Sequence, residues 1–225
     1  MAAAFIGIDL GTTYSLVAYL DDTGRPKIIR NSEGQNLTPS CIEFVDNVAQ
    51  VGETARKGLG WNENVVARFK RDMGTETKYK VGDKEYTPTD CSALILKKLL
   101  QDAQEAIGEI GEAVVTIPAN FTNEARTETL TAAKKAGLKV KNIVNEPTAA
   151  AIYYVFQSGG ELSGNYAVYD LGGGTFDVSI IKVENQNITV LSSEGVNKLG
   201  GDDFDEALQK IAQKKHKDAT GEDVG

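Results

Sequence analysis

The chain has 225 residues, 41% hydrophobic and 25% charged, enough for one large or two modest globular cores. Its 32 acids against 24 bases leave a net charge of −8, which argues against a main role in gripping nucleic acid or an anionic membrane. Two cysteines, Cys41 and Cys91, without Cys-x-x-Cys spacing and a single histidine, His216, exclude a zinc site, and with no hydrophobic leader and no uncharged run of about 18 residues a cytoplasmic protein is expected.

Residues 5–10 and 15–20 read as strands around a first glycine loop. Lys27-Ile28-Ile29 reads as a third strand, and Asp21-Asp22-Thr23-Gly24 as the turn that makes the group an antiparallel meander. After Pro39 come strands near Cys41–Val45 and Gln50-Val51, a short helix near Glu53–Gly58, and a hairpin at 78–86 turning on Gly82-Asp83; this stretch reads as an inserted subdomain. Thr87-Pro88-Thr89-Asp90 then opens a helix: Thr87 is the N-cap, Pro88 the first helical residue, and Asp90 an acid in the first turn. Leu94, Leu96, Leu99, Leu100, Ala103 and Ile107 recur at helical spacing and mark its core face. Ala113–Ile117 is a short apolar strand stopped by Pro118, and Thr122 caps a helix ended by Gly137. Val140–Val144 is the next strand, and Pro147 opens the helix after it, so strand and helix alternate as in a parallel α/β core. Glycines and serines at 158–164 read as a boundary. A second meander follows, over 166–171, 175–183 and 188–194 with its last turn at 185–187. A third glycine turn, Leu199-Gly200-Gly201, feeds a helix through Ile211 and Ala212, and residues 214–225 are expected to fray.

The stretch Val168-Tyr169-Asp170-Leu171-Gly172-Gly173-Gly174-Thr175-Phe176-Asp177-Val178-Ser179 organises this order. Three residues without Cβ let backbone amides approach a ligand and tolerate positive φ; the ligand such a loop suits is a phosphate. The acid just before it would repel a bare phosphate, which points to a hydrated Mg²⁺ travelling with a nucleotide. The same signature stands earlier as Ile6-Gly7-Ile8-Asp9-Leu10-Gly11-Thr12-Thr13-Tyr14-Ser15, so the sequence predicts two facing phosphate clamps on two related lobes.

With Asn145-Glu146-Pro147-Thr148-Ala149-Ala150-Ala151 as a third segment, the chain resembles, along essentially its whole length, the seventy-kilodalton heat-shock chaperones of the DnaK type, in the actin-like ATPase superfamily. The resemblance implies an α/β, ribonuclease H-like actin fold: lobe I over 1–160, with the inserted subdomain at about 39–86, and the start of lobe II over 161–225. It implies ATP or ADP with Mg²⁺ and K⁺ as cofactors. Asp9 and Asp170 would stand on the metal side, and Gly11, Thr12, Thr13 and Tyr14 would cradle the phosphates with Gly172, Gly173, Gly174 and Thr175. Lys70 would orient the attacking water, Glu146, Thr175 and Asp177 would complete the water and cation network, and Gly200 and Gly201 would close over the phosphates. Pro118 and Arg126 would relay the nucleotide state. Taken alone, Lys70 beside Arg71 reads as a solvated surface pair, Glu146 as either a helix cap or a site residue, Pro118 as a strand terminator and Arg126 as an exposed helix charge. Implied partners are unfolded client polypeptides, held by a C-terminal domain beyond this chain, a J-domain co-chaperone and a nucleotide-exchange factor, with no nucleic acid or membrane. The family's ATPase domain runs past residue 225, so the resemblance implies an N-terminal fragment with impaired nucleotide binding. Departures from the family pattern are Asp202 for a glutamate, Asn120 for a tyrosine and the bulky run Tyr153-Tyr154-Val155-Phe156. A cytoskeletal filament ATPase and a sugar or acetate kinase of the same superfamily are the alternative readings.

Overall fold

A computed structural model describes residues 3–46, 48–159, 162–184 and 187–224. Its largest sheet runs β11-β10-β1-β2-β3, formed by β1 (Ala4–Asp9), β2 (Tyr14–Leu20), β3 (Pro26–Ile29), β10 (Ile110–Ile117) and β11 (Val140–Asn145), with the short β4 (Thr38–Pro39) paired to β2. β1 lies parallel to β10 and β10 to β11, whereas β1–β2 and β2–β3 are antiparallel, so the predicted meander and the predicted parallel core share one sheet. The three parallel strands end along one edge, with Ile8 paired to Val115 and Ile117 to Asn145. That edge carries Asp9, Thr116 and Asn145-Glu146, the position at which open α/β sheets bind ligands.

Helix α2 (Pro88–Ile107) starts as expected: the Thr87 side chain accepts from the Asp90 amide, and the Asp90 carboxylate accepts from the Thr87 amide. Its buried face presents Ile95, Leu96, Leu99 and Ala103 to Ile6, Ile8, Val17 and Val115 of the sheet. Leu94 and Ile107, expected on that face, are only partly buried against the same cluster. Helix α3 (Asn123–Lys135) packs beside α2, and Thr122 caps it through the Ala125 amide.

The segment after Pro39 forms β5 (Cys41–Val45), β6 (Val48–Val51) and β7 (Val65–Ala67) as a sheet of its own, with helix α1 (Glu53–Lys57) and the hairpin β8 (Tyr79–Val81) and β9 (Lys84–Tyr86). Its Ile42, Phe44, Val66 and Phe69 join the same apolar cluster as α2 and β1, so its core is continuous with the main one.

Helix α4 (Glu146–Gln157) leads to a second antiparallel sheet of β12 (Gly164–Leu171), β13 (Phe176–Glu184) and β14 (Asn187–Val196), which repeats the β1-β2-β3 order. A separate small cluster joins Ala151 and Val155 of α4 to Ile181 and Val183 of β13. Within the expected boundary at 158–164, Gly160 and Glu161 lie outside the described residues, as do Asn185 and Gln186 in the expected β13–β14 turn.

The expected frayed tail is corrected: helix α5 (Gly201–Thr220) continues to Thr220 and stops at Gly221 in the left-handed region. It buries no residue, so intrinsic helix preference rather than packing carries its second half. No helix among the described residues is long and apolar enough to cross a membrane.

Candidate functional site

A cleft of ≈590 Å³ opens at the carboxyl edge of the parallel strands. Asp9, Gly11, Thr12, Thr13, Tyr14 and Leu16 line it from one side, Asp170, Gly172, Gly173 and Thr175 from the other, and Lys70, Thr116, Glu146, Ala149, Ala150 and Tyr153 complete it. Of the sequence-predicted residues, Gly174, Asp177, Gly200, Gly201, Pro118 and Arg126 are not part of this lining, and Gly174 adjoins it through Gly173 and Thr175.

The first loop is shaped by two serines. Ser15 Oγ accepts from the Gly11 amide at 3.1 Å and shares a buried hydrogen bond of 2.9 Å with Ser40 Oγ. Ser40 Oγ donates to the Gly11 carbonyl at 2.8 Å, and the Ser40 amide to the Thr13 carbonyl at 2.9 Å. With those carbonyls tied back into the protein, the amides of Thr12 and Thr13 are left without a backbone partner among the described residues, as are those of Gly173 and Gly174 in the second loop. Unpaired backbone donors at a cavity form an anion cradle, and Thr13 Oγ1, buried and without a partner among the described residues, adds a hydroxyl to it.

The three glycine loops are in van der Waals contact. The Gly201 amide donates to the Gly172 carbonyl at 3.0 Å and the Asp202 amide to the Gly173 carbonyl at 2.8 Å, which fixes the start of α5 to the triple-glycine loop. A Cβ on Gly173 would overlap the Thr13 side chain, one on Gly174 the Thr12 side chain, and one on Gly200 would lie 2.5 Å from the Gly173 carbonyl carbon. Gly172, Gly173 and Gly174 are not among the residues with positive φ, which corrects part of the sequence argument: close approach, not left-handed backbone, demands glycine here.

At the back of the cleft Lys70 Nζ donates to Glu146 Oε1 at 2.7 Å. Lys70 is only 4% exposed, so the solvated-surface reading of it fails, and its ammonium lies 5.9 Å from the Phe121 ring centroid. Glu146 opens α4 but makes no cap: its carboxylate goes to Lys70, and Asn145 occupies the N-cap position. Thr116 Oγ1 donates to Asp9 Oδ1 at 2.7 Å across β1–β10.

Loss of water pushes the carboxyls of Glu146, Asp170 and Asp177 above their ordinary range. Lys70 opposes this for all three, while Asp9 adds to it at Glu146 and Asp170, and Asp170 adds to it at Glu146 and Asp177. Asp177 Oδ1 and Asn120 Oδ1 are both buried without a partner among the described residues, and both side chains lie against Gly195. The site thus gathers Asp9, Glu146, Asp170 and Asp177 around the single cation Lys70, which is paired directly with Glu146. Among the described residues no three acidic, histidine or cysteine side chains come together as a cage for a bare ion. This donor set fits a cation that keeps most of its own water and is met by one or two carboxylates, as Mg²⁺ is beside phosphates.

Pro118 follows the last residue of β10. Arg126 on α3 wraps the turn after it, donating to the carbonyls of Ala119 at 3.1 Å and Phe121 at 3.2 Å, and reaches the Asn145 side chain at 3.2 Å. Its guanidinium therefore joins the Pro118 turn to the residue before Glu146, and the exposed-charge reading fails. Sequence reasoning missed Ser40, Thr116, Arg68 and Arg71. Arg71, whose side chain is 10% exposed, pairs in fork geometry with Asp203, at 3.1 and 2.7 Å. The sequence separation is 132, so no local pattern flags it.

A family model described as Hsp70 protein matches residues 5–81 and 75–225 of the chain.

Proposed function

The chain belongs to the Hsp70 family, with the actin-like ATPase fold and an ATPase-domain role in a chaperone, and we propose that its cleft is the phosphate side of the ATP site. Thr12, Thr13, Gly173 and Gly174 offer amides, and Thr13 a hydroxyl, to the β- and γ-phosphates, with Gly11, Tyr14, Gly172 and Thr175 completing the two clamps. Gly200 and Gly201 brace the triple-glycine loop from behind. Asp9 and Asp170 face a hydrated Mg²⁺, which when bound neutralises phosphate charge, and Asp177 with Glu146 completes a water and K⁺ network. Lys70 orients the attacking water and offsets the charge that spreads onto the γ-phosphate oxygens in the transition state. Glu146 holds Lys70 in the cleft. The observation that carries this reading is the buried Lys70–Glu146 pair beneath a rim of unpaired backbone amides.

In this reading nucleotide is a switch: ATP and ADP states change the affinity of the full-length parent for unfolded clients, with J-domain and exchange-factor partners setting the cycle. Pro118 and Arg126 carry the state outward, because Arg126 spans the Pro118 turn and the start of α4. The lobe division is placed near 160, although the two apolar clusters part before α4, whose Ala151 and Val155 pack with Ile181 and Val183 of β13. A cytoplasmic setting is supported by Cys41 and Cys91, free and buried, whose thiols burial pushes up to about 11 and about 12.

The lining of this cleft consists mainly of the two phosphate clamps, so this chain by itself is expected to bind MgATP weakly and turn it over negligibly. Calorimetric titration of MgATP into this chain and into the full-length parent tests the reading. Tight binding by the parent and weak or no binding by the chain is expected; no binding by the parent, or tight binding by the chain, contradicts it.

A further inference from the structure

One short 3-10 turn, Phe69–Asp72, sends its two basic side chains, Lys70 and Arg71, in different directions, and a third, Arg68, stands at its N-cap. At three residues per turn, neighbours diverge by about 120°. Lys70 runs into the cleft to Glu146, while Arg71 runs toward the start of α5. There Arg71 Nη1 and Nη2 grip the two carboxylate oxygens of Asp203, and Nη2 also donates to the Gly173 carbonyl at 3.2 Å. Just before the turn, Arg68 Nε lies 3.0 Å from Asp202 Oδ2. Arg68 is held at φ 61, in the left-handed region that a residue with a Cβ adopts at a cost of roughly 1 kcal/mol or more. Gly174 lies against the same guanidinium: a Cβ there would stand 2.6 Å from Arg71 Nε.

We infer that Arg71, assisted by Arg68, is a positioning latch that fastens the second and third glycine loops to the segment carrying Lys70. This rests on the phosphate-clamp reading above. The loops make their own backbone bonds to each other, Gly201 to Gly172 and Asp202 to Gly173, and therefore move as one unit. Nothing in those bonds ties the unit to the turn on the other side of the cleft. Arg71 does so at two points, the Gly173 carbonyl and the Asp203 carboxylate, and only a planar fork with several donors can hold both. Lys70 has its own anchor in Glu146. Releasing the latch should therefore loosen the phosphate cradle, and with it nucleotide affinity, more than the chemical step.

The test uses Arg71→Lys, Asp203→Asn and the conservative Asp203→Glu. In the 225-residue chain without nucleotide, amide hydrogen exchange is read at the bonded amides of the two loops, Gly172, Gly201, Asp202, Asp203 and Phe204, with α2 as the internal reference for intact folding. In the full-length parent, KM and kcat for MgATP are read separately. Arg71→Lys and Asp203→Asn are expected to speed exchange in both loops about tenfold while α2 stays unchanged. In the parent they raise KM about tenfold and lower kcat less than threefold, and Asp203→Glu stays near wild type in both readouts. Unchanged loop exchange, or a wild-type KM in both disruptive variants, overturns the latch. If α2 exchange also rises, the pair is a general fold contact and the latch is equally overturned. A wild-type parent that neither binds nor hydrolyses MgATP defeats the nucleotide reading alone, and loop exchange then still decides the latch.

Discussion

Lys70 carries most of the electrostatic weight of the cleft, because Glu146, Asp170 and Asp177 all lean on its charge. Removing it leaves the Glu146 carboxylate in a dry site without a counter-charge. Lys70→Ala is expected to cost about 2 kcal/mol in urea unfolding, most of it recovered in Lys70→Ala/Glu146→Gln; an additive double variant contradicts the pairing. Asp177 makes the opposite case. Its carboxyl is raised above the ordinary 3.8, so the native state binds more protons than the unfolded one, and its effect on stability worsens as pH climbs from that value through the folded one. Asp177→Asn should therefore stabilise the nucleotide-free chain by about 1 kcal/mol at neutral pH and by almost nothing near pH 4. Thermal melts at the two pH values check this, and an equal gain at both contradicts it. These effects were only partly legible in the sequence. Asp9, Asp170 and the glycines announce themselves by local pattern, whereas Lys70, 76 positions from Glu146, has no local signature and took its role from the family resemblance alone.

Among the elements, the helix starts were the most legible part of the fold: Thr87 is the N-cap and Pro88 opens the helix as read, while Asp90, read only as a first-turn acid, also closes a capping box by accepting from the Thr87 amide. The end of α5 was not legible from burial: its apolar periodicity fades after Ala212, yet good helix formers carry it to Thr220. The glycine loops were located by sequence, but the reason for glycine at 172–174 and 200 emerges only when three distant segments meet. Gly200→Ala places a methyl against the Gly173 backbone, which has no rotamer by which to yield. It is expected to cost about 1–3 kcal/mol and to separate α5 from the second loop. Gly7→Ala, at a site with nothing nearby, serves as the neutral control. Denaturant midpoints compare the two, and equal small losses contradict the contact argument.

At the scale of the whole molecule, one extended apolar core joins the large sheet, α2 and the segment after Pro39, and a small second one joins α4 to β13. The alternation of strand and helix gave the parallel order in advance, and the repeated Asp-Leu-Gly signature gave the second meander. The continuity of the inserted segment with the main core was not visible, because Ile42, Phe44 and Phe69 meet α2 only through tertiary packing. Surface hydrophobics are numerous on α4, β12–β14 and α5, among them Tyr154, Tyr169, Leu191 and Leu208, each more than half exposed. Such a surface should bind a fluorescent apolar-surface dye in the folded state, and signal at the buffer level contradicts this. The proposed role of Lys70, at the base of a two-sided phosphate clamp, is to orient the attacking water and offset the charge that develops on the γ-phosphate. It is tested most directly by single-turnover MgATP hydrolysis in the full-length parent, wild type against Lys70→Ala. Slow hydrolysis by wild type and a loss of about 100-fold or more in the variant, with nucleotide still retained, is the predicted result; hydrolysis by Lys70→Ala at the wild-type rate would contradict it.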